Sequence, residues 1–113
     1  MRGSQGSAID GASLDANGTW LAGSCCKHYA AYDVETIPVD RGHFSAEVSA
    51  KDMWEYYLAP FHDCVKTAGA MHVMTALNAI NGVAASADPD LIDGVLRNFS
   101  DSCNAGLCPS LAT

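Results

Sequence analysis

Cys25-Cys26-Lys27-His28-Tyr29-Ala30-Ala31-Tyr32-Asp33 gathers two thiols, an ammonium, an imidazole, two phenols and a carboxylate into one short stretch. It closes a run from Trp20 to Tyr29 in which the first charge is Lys27, and such a run reads as a buried strand. Polar groups collected at the C-terminal end of a strand are how parallel α/β folds build their sites. The stretch therefore points to a fold class and to a site together.

The downstream sequence alternates as that reading requires. Val34 to Phe44, with Pro38, Gly42 and several charges, reads as a loop. Ser49 with Asp52 three residues on is a short-armed variant of the capping box that opens a helix. Met53, Tyr56, Tyr57, Phe61, Cys64, Val65 and Ala68 recur at steps that define one helix face. Pro60 interrupts this face, either kinking the helix or opening a second one, and Gly69 ends it. His72-Val73-Met74-Thr75-Ala76-Leu77 is an apolar run of strand length, followed by Asn78, Asn81 and Gly82 as turn residues. Asp88-Pro89 has the form of an N-cap and first helical position, opening a helix through Leu91, Ile92, Val95 and Leu96 to Arg97. Strands alternating with helices imply right-handed βαβ units and a parallel sheet, an α/β fold. The organisation expected is a loop-rich segment over 1–19, an α/β segment over 20–99 and an irregular tail over 100–113.

Bulk composition narrows the function classes. With 113 residues the chain is one domain at most. Its 49% apolar and 17% charged content fits a folded domain with a modest core. A net charge of −7 without a basic cluster argues against nucleic acid and against an anionic membrane surface as partners. No apolar run approaches the ~20 residues of a transmembrane helix. The N-terminal stretch Met1 to Asn17 lacks the apolar core of a signal peptide. Met-Arg-Gly-Ser at the start also has the form of an expression tag. Five cysteines (Cys25, Cys26, Cys64, Cys103 and Cys108) are an odd number, so at least one stays free or pairs with another chain.

Cys25 to Asp33, followed by Asp40-Arg41-Gly42-His43-Phe44-Ser45-Ala46, resembles the K-H segment and the D-R-x-H-F-x-A of glycoside hydrolase family 3, in particular its β-xylosidase branch, and further blocks follow in order. Tyr57-Leu58-Ala59-Pro60-Phe61 with Cys64-Val65 resembles Y-L-x-P-F-x-x-C-V. Val73-Met74, Asn78 and Asn81-Gly82-Val83 resemble V-M-x-x-x-N-x-x-N-G-V, with Ala87-Asp88-Pro89-Asp90-Leu91 as the A-D-P-D-L that follows. Arg2-Gly3-Ser4-Gln5-Gly6 resembles the R-G-x-Q-G that precedes this region, which weighs against the tag reading.

The resemblance implies a partial TIM (β/α)8-type barrel, of which a full copy needs about 250 residues. The chain then reads as an internal piece of that barrel. The implied reaction is retaining, exo-acting hydrolysis of β-glycosidic bonds in xylo- or gluco-oligosaccharides. That chemistry uses a nucleophile and an acid/base carboxylate roughly 5–5.5 Å apart, and needs no cofactor and no metal. The family's Lys and His hydrogen-bond sugar hydroxyls in the −1 subsite, so Lys27 and His28 become the substrate-binding pair. An ammonium with three donors beside an imidazole with one donor and one acceptor suits a polyol. Ser100-Asp101 stands in the order of the family's S-D motif, which makes Asp101 the candidate nucleophile. The spacer that separates the preceding helix from S-D in the family is nearly absent here. Leu77 occupies the place of a sugar-lining Tyr, and Glu35, Glu47 and Glu55 match no acid/base motif. Relatives in the family are often secreted.

Two other readings compete. Cys25, Cys26, His28, His62, Cys64 and His72 are soft ligands that would favour zinc, but their spacings match no known ligand pattern. Alternatively the chain is a non-catalytic barrel piece that self-associates through exposed strand edges or is completed by a partner.

Overall fold

The computed structural model describes residues 23–99 and the backbone of residues 110–112. Among these residues the strands are β1 (Cys25–Tyr29), β2 (Ser45–Ala46), β3 (His72–Thr75), β4 (Ala79–Ile80), β5 (Val83–Ala84) and β6 (Ser110–Ala112). β1, β3 and β6 form one sheet in that order, with both pairings parallel. β2, β4 and β5 form a second, in which β2 runs parallel to β4 and β4 antiparallel to β5. Helical segments fill the connections, so the α/β class with parallel strands is what the chain adopts. β6 lies in the stretch read from sequence as an irregular tail, and β2 in a region without a strand signal.

β1 begins at Cys25, and Trp20 lies outside the described residues. It is half-buried, not fully buried: Cys26 and Tyr29 face the core while Cys25 and Lys27 are exposed. That is the two-residue alternation of a strand with one wet face, interrupted once. The register shows where. Cys26 pairs with Val73 and Tyr29 with Thr75, so β1 spends one more residue than β3 over Lys27 and His28. Ahead of the strand, the His72 ring lies against Gly23: a Cβ there would stand 2.5 Å from the ring, which would have to shift.

The Ser49 cap forms as read. Its hydroxyl accepts from the Asp52 N–H at 3.1 Å and donates to the Asp52 carboxylate at 2.7 Å. The helical stretch then differs from a regular α-helix. α1 (Ala50–Asp52) widens into π-type turns over Met53–Tyr57, and α2 (Ala59–His62) widens again over Asp63–Thr67. Pro60 lies in the first turn of α2, the second of the two outcomes open at that position. The Leu58 N–H reaches five residues back to Met53 at 2.9 Å. This wider turn rotates the buried face. Leu58, absent from the sequence-derived face, is 1% exposed, whereas Tyr56, included in it, is 71% exposed. Gly69, at φ +65°, ends the stretch, and the Ala70 N–H closes back onto Cys64 at 3.0 Å.

Asn81 (φ +49°) and Gly82 (φ +87°) join β4 to β5 through two left-handed residues, the mirror-image turn that Asn-Gly favours. The Asn81 side chain also grips the backbone of Val48, accepting its N–H at 2.8 Å and donating to its carbonyl at 3.0 Å. Asp88 caps the next helical segment by accepting from the N–H groups of Asp90 and Leu91 at 3.0 and 3.1 Å. That segment runs Asp90–Leu96 in wide turns and closes through Arg97–Phe99.

The core joins these pieces around Tyr29, Leu58, Val73, Ile80, Leu91 and Leu96. A disulfide between Cys26 and Cys64 ties β1 to the end of the central helical stretch across a sequence separation of 38. Closing a loop of that length restricts the unfolded chain by roughly 4 kcal/mol in the chain-entropy account. A Cys26→Ser/Cys64→Ser double substitution is expected to lower the urea midpoint markedly. Added reductant should shift the parent chain in the same direction and leave the double variant unmoved.

Candidate functional site

The interruption in β1 falls on the two residues that carry the candidate chemistry. Lys27 is exposed and makes no hydrogen bond or ion pair with any described residue. His28 is half-buried, with its ring 4.7 Å from that of Tyr32 and tilted by 38°. Both line an open cleft of about 810 Å³ at the C-terminal end of β1, together with Tyr32, Asp33 and Tyr57. The Cys26–Cys64 disulfide forms part of its floor. Paired in this bond, Cys26 and Cys64 have no thiolates to offer a metal, which removes two residues from the zinc reading.

Beneath the cleft the backbone after β1 is held firmly. Tyr29, Ala30 and Ala31 are buried. Asn78, 1% exposed, donates its Nδ2 toward the carbonyls of Ala79, Ala31 and Ala30 at 3.0, 3.3 and 3.5 Å. A second link crosses the cleft mouth, where the Tyr57 hydroxyl donates to Asp33 Oδ2. This hydrogen bond to a carboxylate pushes the Tyr57 phenol up to about 12. Neither partner is marked by spacing, since they lie 24 residues apart, and sequence reasoning missed the pair.

The loop beyond the cleft is ordered by its own charges. Tyr32 donates to Glu35, whose other oxygen accepts from Arg41 at 2.9 Å. Asp40 accepts from the Gly42 N–H at 2.9 Å, with the His43 ring nitrogen at 3.2 Å, and these contacts hold its carboxyl below the usual range. Glu35 is therefore engaged in a surface network, and none of Glu35, Glu47 and Glu55 lines the cleft. Leu77 is 55% exposed beyond β3 and does not line it either. Asp101 lies outside the described residues.

Comparison with protein-family models finds no match. Individual proteins do match. A probable β-D-xylosidase 7 of Arabidopsis thaliana is 38% identical over 98 residues, covering 86% of this chain and 13% of that protein. A probable exo-1,4-β-xylosidase of Neosartorya fischeri is 49% identical over 73 residues, 64% of this chain and 10% of that protein. Among solved structures, a family 3 exo-β-xylosidase in complex with a xylobiose aziridine probe superposes with a TM-score of 0.76, over 95% of this chain at 27% identity. The chain belongs to glycoside hydrolase family 3. The family's glucosidases match as well: the Bifidobacterium adolescentis enzyme superposes with a TM-score of 0.63 over 68% of this chain at 38% identity. The chain spans only 13% and 11% of those two solved chains.

The Tyr57–Asp33 bond makes a pH prediction with a definite sign. A phenol whose folded value lies above its ordinary 10 adds stability that is full below pH 10 and lost as pH rises through about 12. In an ultraviolet titration, Asp33→Asn should move one tyrosine ionisation from near pH 12 toward the ordinary value. An unchanged titration curve would show that the bond does not form in solution.

Proposed function

We propose that this chain supplies the Lys-His wall of a −1 subsite in a retaining, exo-acting β-glycosidase domain acting on xylo- or gluco-oligosaccharides. The observation that carries this reading is that Lys27 and His28 line one cleft at the C-terminal end of a parallel strand, in a family 3 chain. The parallel order β1-β3-β6 fits successive strands of a (β/α)8-type barrel. Lys27 donates to sugar hydroxyls as an ammonium, and His28 both donates and accepts. Asp101, in the S-D order, is the proposed nucleophile. Hydrolysis also requires an acid/base carboxylate, and among the described residues the cleft is lined by Asp33 but by no glutamate, the residue type of the family's acid/base.

That gap favours a second reading, in which the isolated chain binds sugar weakly or serves as a self-associating module. Trp54 and Tyr56, 57% and 71% exposed, are large apolar groups left open to such contacts. Incubated with aryl β-xyloside and β-glucoside, the purified chain is expected to show no turnover above buffer and to elute as oligomers on sizing. Binding of xylobiose, followed by NMR shift titration, should weaken about tenfold in Lys27→Ala, the loss expected for a hydrogen bond to a charged group. Turnover clearly above buffer that Lys27→Ala abolishes would overturn the module reading. Binding indifferent to Lys27 would overturn the subsite reading.

A further inference from the structure

We infer that Asp33 is a third hydroxyl-binding group of this cleft, with Tyr57 as the residue that positions it. The inference rests on the subsite reading above and extends it to two residues outside the Lys-His pair. Its starting point is a shortage of acceptors. Each sugar hydroxyl is both donor and acceptor, whereas Lys27 can only donate and a neutral His28 offers one acceptor at most. A polyol bound by those two alone leaves most of its O–H protons to water, so a further protein acceptor would add direct hydrogen bonds. A carboxylate supplies what is missing.

Asp33 lines the same cleft, five residues beyond His28 in the chain. Its Oδ2 accepts from Tyr57, and among the described residues no partner is found for its other oxygen. Ionised, a carboxylate can accept at about four positions, so one bond to Tyr57 leaves capacity for a ligand. Its placement is also unusually constrained for an exposed side chain. On one side the buried Ala30–Ala31 turn, clamped by Asn78, forms the tether between His28 and Asp33. On the other, Tyr57 belongs to the helical stretch that the disulfide fastens to β1. Binding groups held from two sides lose little freedom when a ligand arrives.

The test uses the full chain and NMR titration with methyl β-D-xylopyranoside and its three monodeoxy analogues. Asp33→Asn keeps an acceptor for Tyr57 and nearly the same volume, so the cleft should survive. It should weaken the parent sugar about tenfold yet leave unchanged the affinity for the one analogue that lacks the hydroxyl held by Asp33. Tyr57→Phe should weaken the parent sugar by a smaller factor, about threefold, with the same analogue least affected. An equal loss for the parent sugar and every analogue, or no loss at all, overturns the inference and makes Asp33 scaffold or bystander. A Lys27→Ala control separates the two readings. If it weakens binding and Asp33→Asn does not, the inference fails and the subsite stands. If the parent chain binds none of the sugars, both fail.

Discussion

The fold turns on the burial of Tyr29. It has no exposed surface, and its side chain and backbone reach three separate elements. The ring meets Phe61 edge-to-face at 5.0 Å, the hydroxyl donates to the Leu91 carbonyl at 2.8 Å, and the backbone carbonyl accepts from the Ala76 N–H at 2.6 Å. Burial, with the Asp88 carboxylate adding to it, pushes the phenol well above its ordinary range, so it stays a neutral donor at any pH the chain would meet. A buried hydroxyl without a partner would cost about 1–3 kcal/mol, and the Leu91 carbonyl removes that cost. Tyr29 therefore holds the central helical stretch, β3 and the Asp90–Leu96 segment to the end of β1.

That anchoring explains how Lys27 and His28 can occupy a strand and still line a cleft. The strand is pinned at Cys26 by the disulfide and at Tyr29 by the core, and the extra residue in its register lies between those pins. An irregularity held at both ends re-aims side chains without loosening the sheet, the usual role of bulges beside sites. The Asp33–Tyr57 link and the Asn78 clamp extend the same principle to the following loop. Most of the cleft's rigid groups thus come from two short stretches, 25–33 and 57–64.

Parts of the fold were legible in the residues because they depend on local chemistry. The Ser49 and Asp88 caps, the entry of Pro60, the ending at Gly69 and the Asn81-Gly82 turn are each dictated by donors, ring geometry or positive φ within a few residues. The helix face was misread where local rules gave way. Regular 3.6-residue periodicity places Tyr56 inward and passes over Leu58, but the wide turns before Leu58 advance the face and reverse the two. β2 was invisible for a related reason. Two residues carry no alternation, and Ser45–Ala46 becomes a strand only because β4 pairs with it and the Asn81 N–H donates to the Ala46 carbonyl at 2.9 Å.

Residue order alone identified the family, the α/β alternation and Lys27 and His28 as the groups to watch, since these rest on motifs and short-range patterns. Pairing across distance was decided in three dimensions. With five cysteines the sequence left the partner of Cys26 open, and the approach of the central helical stretch to β1 selects Cys64. Asp33 and Tyr57 are likewise a carboxylate at the end of the opening stretch and a tyrosine on a helix face, with nothing to pair them until that same approach brings them together. The physical reason is common to both cases: which side chains meet depends on how the core packs around Tyr29, and no spacing along the chain encodes that distance.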